Sequence, residues 1–205
     1  MTKPLPSELP PIQRLSTVEA DVPKGSKKYL SHFVDEVVRP DGSHGYHHRL
    51  EFAAGVMIAH LERVDGHLWL PMIDHYRYPI NRWSRELPSG GVEAGDASLE
   101  DAAARELLEE TGVKVASSDL RPLFPGPLYG SIGVANQSFH IFEGSGGSVE
   151  LGDLDDEERA VISSGMYRLE DVYEMIGREV VENATTAAIG RLLYREVTTG
   201  NPHIR

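Results

Sequence analysis

An α/β sandwich with a mixed sheet, as opposed to a doubly wound parallel sheet, is the fold class this sequence predicts. Three observations predict it. Two pairs of β-prone segments flank turn signals in the first 80 residues, a strong helix signal follows a glycine-rich stretch near residue 90, and further strands and helices come after it with no internal repeat. At 205 residues and 40% hydrophobic composition, the chain can bury a real core as one domain with an extension or as two small domains.

Residues 1–25 hold five of the 13 prolines and show little apolar periodicity, which reads as a flexible or extended arm with no assigned structure. Residues 29–38 (YLSHFVDEVV) and 46–52 are β-prone and flank Asp41-Gly42, so residues 26–52 read as an N-terminal β-hairpin extension. Residues 53–205 form the main domain. Segments 55–62 and 67–76 enclose Val64-Asp65-Gly66 as a second hairpin with buried strands. Ser98 with Asp101 three positions on approximates a capping box, and Gly112 is a suitable stop, predicting a helix over 99–111. Beyond it, 120–124 and 138–142 read as strands, 143–156 as a Gly- and Asp-rich loop, 159–166 as a strand, and 169–176 and 185–194 as helices.

Composition narrows the chemistry. The absence of cysteine excludes disulfides, thiolate metal sites and cysteine nucleophiles, so any metal is held by oxygen or imidazole. The first residues lack an apolar signal-peptide core and the longest mostly apolar run, 52–61, is too short to span a bilayer, which makes the cytoplasm the expected location. A net charge of −12 disfavours a non-specific grip on nucleic acid. An acidic chain can still take an anionic phosphate substrate when divalent cations bridge the two.

The segment 105–113 (RELLEETGV) shows where such a cation would sit. Glu106, Glu109 and Glu110 stand at i, i+3 and i+4, on one face of the predicted helix, with Ala104, Leu107, Leu108 and Thr111 on the other. An acidic run is commonly a solvated surface. Against that, each like-charged pair costs an isolated helix roughly 0.2–0.5 kcal/mol, a penalty that a bound cation reverses.

This segment resembles the signature of the Nudix hydrolases: glycine, five residues, an acid, seven residues, then Arg-Glu-aliphatic-x-Glu-Glu-x-Gly-aliphatic. The second half matches from Arg105 through Val113. In the first half Gly90 and Asp96 have the expected spacing, but Asp replaces Glu and eight residues instead of seven precede Arg105. A register from Gly91 keeps the length but places Ala97 at the acid. The stretch Leu87-Pro88-Ser89-Gly90, with Glu93, Gly95 and Asp96, follows the family's LPAGxxExGE pattern and favours the first register. The resemblance implies an α/β/α sandwich that binds Mg²⁺, with Mn²⁺ a possible substitute. It implies Glu106 and Glu110 as main ligands, Glu109 joining them or holding a metal-bound water, and the Ser89 carbonyl as a further ligand. Gly90 and Gly91 would let the chain approach the cation. Arg105 would orient a carboxylate, which is physically almost the same as a helix salt bridge.

Upstream, His75-Tyr76-Arg77-Tyr78-Pro79 and Glu86-Leu87-Pro88 resemble the QYR…ELPAG segment of the ADP-ribose pyrophosphatase branch, with His75 for glutamine. That resemblance implies Arg77 on phosphate, Glu86 at the substrate site, and Tyr76, Tyr78 or Trp83 as base-stacking candidates, although aromatics flanking an arginine are also ordinary sheet packing. Pro125-Gly126-Pro127 resembles a turn of the same branch, and 143–156 its mobile loop, which would deliver Glu157, with Glu158 and Asp156 as neighbours, as general base. The same acids read equally as a solvated loop. The segment from Met175 to Ala187 resembles its C-terminal helix pair, so the likeness runs from Phe33 to Arg195. His44, His47 and His48 do not read as a zinc site, because an adjacent pair on a strand points apart.

The expected activity is Mg-dependent hydrolysis of the pyrophosphate of a nucleoside diphosphate linked to another moiety, foremost ADP-ribose to AMP and ribose 5-phosphate. Another nucleoside diphosphate sugar or a dinucleotide is the alternative, and a non-catalytic nucleotide-sensing module is the reading from a different class. The partner is a small molecule, with neither nucleic acid nor membrane. The N-terminal hairpin resembles a homodimerisation element.

Overall fold

The computed structural model describes residues 12–21, 30–149 and 162–199, which fall in two compact units. The first comprises residues up to Ala53 together with Ser131–Gln137. Its strands β1 (Gln13–Glu19), β2 (Ser31–Val38) and β3 (His44–Glu51) pair antiparallel in that order. The β2–β3 hairpin turns at Asp41-Gly42: Gly42 has φ 81°, and the Asp41 carboxylate accepts from the Ser43 amide at 2.9 Å. Strand β1 corrects the reading of residues 1–25 as an arm without structure. All seven of its residues are exposed, so no apolar stripe announces it; its pairing with β2 holds it, supplemented by Thr17 Oγ1 donating to Asp35 at 2.5 Å. Of the clustered histidines, His48 pairs with the His32 ring at 3.0 Å and His44 lies 3.6 Å from Glu36.

The second unit spans Ala54–Gly130 and Ser138–Arg205. Strands β4 (Gly55–His60), β5 (Glu62–Val64), β6 (His67–Arg77), β7 (Arg82–Glu86) and β8 (Ser89–Gly91) lead to helix α1 (Leu99–Thr111). Then follow the short strands β9 (Val113–Lys114), β10 (Arg121–Pro122) and β11 (Leu128–Tyr129), β12 (Ser138–Gly144), β13 (Ser148–Val149), β14 (Ile162–Arg168), α2 (Leu169–Glu174) and α3 (Asn183–Thr198). One sheet has the order β10-β12-β4-β8, with β11 on β12, and is mixed because β12 runs parallel to β4. The other is antiparallel, β14-β6-β5 with β7 on β6.

Alternation along β4 builds the layers. Val56 and Ile58 pack with Ala102, Ala103 and Leu107 of α1, while Met57 and Ala59 pack with Leu70 and Met72 of β6 and with Ala188, Ile189 and Leu192 of α3. Both faces of β4 are covered, so all six of its residues are buried and the segment reads as one apolar run. Each Leu- or Ile-sized side chain taken fully from water there contributes about 1.5–3 kcal/mol. The result is the predicted α/β/α sandwich with a mixed sheet. The boundaries differ in places: predicted strand 55–62 breaks at Leu61, predicted strand 120–124 shrinks to Arg121–Pro122, and the last helix runs to Thr198. That helix starts early because Glu182 caps it, accepting from the amides of Ala184 and Thr185 at 3.1 and 2.6 Å.

Candidate active site on the first helix

Helix α1 begins and ends as its sequence dictates. Ser98 Oγ accepts from the Asp101 amide at 3.0 Å, and Gly112 (φ 74°) returns its N–H to the Leu108 carbonyl at 2.8 Å. Between these caps the three glutamates face different depths. Glu110 is buried at 8% exposure, the Glu106 side chain is nearly covered, and the Glu109 side chain is 34% exposed.

Opposite the helix lies the glycine-rich strand β8, hydrogen-bonded along β4. Its position is fixed from both sides: the Pro88 carbonyl accepts from Ile58 N at 3.0 Å, and Leu87 N donates to Thr185 Oγ1 of α3 at 3.1 Å. Ser89 then donates its amide to Glu110 at 2.8 Å, which joins loop and helix directly. Gly90 abuts the Glu106 carboxylate so closely that a Cβ there would lie 2.1 Å from Oε1. Gly91 faces open space, so of the two glycines only Gly90 is demanded by close approach.

Arg105 ties the acids together. Its Nη1 donates to Glu106 and Glu109, both at 2.9 Å, and Nη2 donates to the Gly91 carbonyl at 2.8 Å. Nε and Nη2 donate to Asp96 at 3.2 and 3.1 Å. The Arg105 guanidinium holds the Asp96 carboxyl below the usual range. Asp96, where the family pattern has Glu, thus serves the loop as the acceptor that anchors Arg105.

Burial pushes Glu110 up to about 8, and the nearby Glu106 and Glu86 charges push the same way, against the Ser89 amide and Arg77. Arg77 reaches this cluster electrostatically while its guanidinium grips Glu86, with Nε at 3.0 and 3.1 Å from the two oxygens and Nη2 also donating to Oε2. Glu86 is 1% exposed. Tyr76 is separated from Arg77 by strand parity: it pairs across the strands with Trp83, ring centroids 5.7 Å apart, and donates to Asn81 at 2.5 Å. Tyr78 stands on a 3₁₀ turn at 85% exposure. The structure therefore gathers Arg77, Glu86, Ser89, Arg105, Glu106, Glu109 and Glu110, and leaves Tyr76 and Tyr78 apart. Asp156, Glu157 and Glu158 lie outside the described residues. Thr185, which holds the loop at Leu87, belongs to no motif that would mark it in the sequence.

Among the described residues, no group of three or more His, Asp or Glu side chains is arranged to hold a metal ion by itself. Magnesium does not require one, because it keeps several waters and takes one or two carboxylates plus substrate phosphate. The donor set fits it: only oxygens, a buried carboxylate in Glu110 that has no salt-bridge partner among the described residues, and a Glu106 carboxylate lying so close to Gly90 that no side chain there is accommodated.

The model of the NUDIX domain matches residues 51–186, about two thirds of the chain. The ADP-ribose pyrophosphatase of Bacillus subtilis (strain 168) is 29% identical over 174 residues, covering 83% of this chain and 89% of that protein. Among solved structures, the crystal structure of an ADP compounds hydrolase superposes with a TM-score of 0.73 at 18% identity, over 95% of this chain and 99% of that one, a likeness of fold.

Proposed function

The chain belongs to the NUDIX family and is a Nudix pyrophosphohydrolase, and from that premise we propose that it hydrolyses ADP-ribose to AMP and ribose 5-phosphate with Mg²⁺. The observation that carries this reading is the oxygen cradle made by Glu110 on the Ser89 amide, Glu106 against Gly90, and Glu109 at the rim. Glu106, Glu110 and the Ser89 carbonyl would hold the metal. When bound, magnesium supplies charge neutralisation on the pyrophosphate and lowers the pKa of an attacking water. Arg105 holds Glu106 and Glu109 in place, and Arg77, oriented by buried Glu86, supplies a guanidinium for phosphate. Glu109, more exposed than its two neighbours on α1, and Glu157 are the candidates to take the water's proton.

A second reading keeps the chemistry and changes the substrate to another nucleoside diphosphate sugar. It rests on the parity of Tyr76 and Trp83, which turns these rings away from Arg77 and so takes away the stacking contacts expected to select adenine there. Purified protein with magnesium is expected to release AMP from ADP-ribose faster than it releases GMP from GDP-mannose. The reverse preference selects the second reading, and no nucleoside monophosphate from any diphosphate compound overturns both. A homodimer joined through the N-terminal sheet, whose Leu15, Val18 and Tyr46 are exposed, belongs to the same proposal.

A further inference from the structure

A cavity of about 330 Å³ opens on the other side of the antiparallel sheet from Arg77 and Glu86, lined by Asp74, Arg82, Trp83, Arg85, Arg178 and Glu179 among others. Strand register separates the two places. Arg85 lies opposite Asp74, which lies opposite Ser163, and Trp83 lies opposite Tyr76, all on one face; Glu86 lies opposite Ile73 on the other. Arg82 and Ser84 have the parity of Glu86 and also line the cavity, Arg82 as the first residue of β7. Arg85 is neutralised on the cavity floor: Nε and Nη2 donate to Asp74 at 2.8 and 3.0 Å, and Nη1 donates to Glu179 at 2.6 Å. Arg82 and Arg178 differ. Arg82 donates to the Arg178 carbonyl, Arg178 donates to the Glu174 carbonyl at 2.7 Å, and among the described residues neither guanidinium has a carboxylate partner. The indole of Trp83 stands beside them at 52% exposure, with Tyr76 packed edge to face against it.

We propose that this cavity binds a nucleoside monophosphate, with the phosphate between Arg82 and Arg178 and the base against the Trp83 indole. Three arginines against two carboxylates give the lining a charge of +1 in a chain whose net charge is −12, so an anion is drawn here against the general field. The two guanidiniums without a carboxylate partner can donate to the oxygens of one phosphate, whose dianion brings the lining from +1 to about −1; a diphosphate or triphosphate would add further charge that the lining does not meet. The volume lies at the low end of small-molecule sites, roughly 300–1,000 Å³, which suits a mononucleotide. The indole supplies the flat surface that a base needs, and the spare lone pairs of Asp74 and Glu179 can accept from hydroxyls or an exocyclic amine. The site is distinct from the reaction cleft, and it stands or falls independently of which substrate that cleft takes.

The test is AMP titration of the intact protein in EDTA, followed by tryptophan fluorescence and by calorimetry. Saturable binding below about 1 mM is expected, at least about tenfold weaker in Arg82→Ala and in Arg178→Ala and unaltered in Arg77→Ala. The fluorescence change should vanish in Trp83→Phe while Trp69 still emits and calorimetric binding persists, weakened. Adenosine should bind more weakly than AMP, and inorganic phosphate should bind without the Trp83 signal. Absence of AMP binding overturns the proposal. So does binding that Arg77→Ala removes and Arg178→Ala spares, because the ligand then sits in the reaction cleft. Phosphate binding as tightly as AMP overturns the nucleotide assignment.

Discussion

Replacing Glu110 by glutamine tests the buried carboxylate directly. In the folded chain burial raises its pKa to about 8, against a reference of 4.5 for an exposed glutamate. The folded chain therefore binds this proton more tightly than the unfolded one. The stability it contributes is complete below the unfolded pKa, falls as pH rises, and is lost by the time pH passes the folded value. At 1.36 kcal/mol for each pH unit of that interval, the loss is at most about 5 kcal/mol. The substituted glutamine does not titrate, and its amide oxygen can still accept from the Ser89 amide that Glu110 uses at 2.8 Å. In EDTA the variant should thus match the wild type near pH 4.5, gain on it steadily, and hold a constant lead above pH 8. With a urea dependence of about 1–3 kcal/mol/M, the full lead of about 5 kcal/mol is a midpoint shift of roughly 2–5 M. Urea unfolding of both proteins at about pH 5, 7 and 9 measures it. Saturating magnesium at neutral pH should release a proton and stabilise the wild type while doing neither to the variant, which should also have lost turnover. A gap that does not change with pH, or a variant less stable than wild type at alkaline pH, would show that Glu110 is charged at no cost in the folded chain. The burial reasoning would then be wrong.

Two further substitutions probe how the loop meets the helix. Gly90→Ala places a methyl 2.1 Å from Glu106 Oε1 and should lower kcat by on the order of 100-fold, as expected for a displaced catalytic group, while Gly91→Ala, which meets nothing within 4 Å, should stay close to wild type in the same steady-state assay. Thr185→Val removes the acceptor for the Leu87 amide; thermal or urea unfolding should show a loss of about 1–3 kcal/mol, and unaltered stability would mean that the 3.1 Å bond contributes nothing.

Features that depend on a few consecutive residues were legible in the chain itself. The caps Ser98 and Gly112, the turn at Asp41-Gly42, and the glutamate spacing of α1 act within one turn of chain, and each is found where the residue pattern places it. The opposed directions of Tyr76 and Arg77 were also accessible, since adjacent strand residues face opposite ways. Strand β1 was not accessible, because its residues are all exposed and only β2 reveals it.

The depth of each carboxylate belongs to the tertiary structure. Spacing puts Glu106, Glu109 and Glu110 on one helix, but which is dehydrated depends on the β8 loop, and that loop is held by Pro88 against β4 and by Thr185 from almost a hundred residues away. Chain pattern determined which groups could meet a metal and a diphosphate. Packing decided the protonation of Glu110, because the cost of a charge depends on the water left around it, and contacts distant in sequence remove that water.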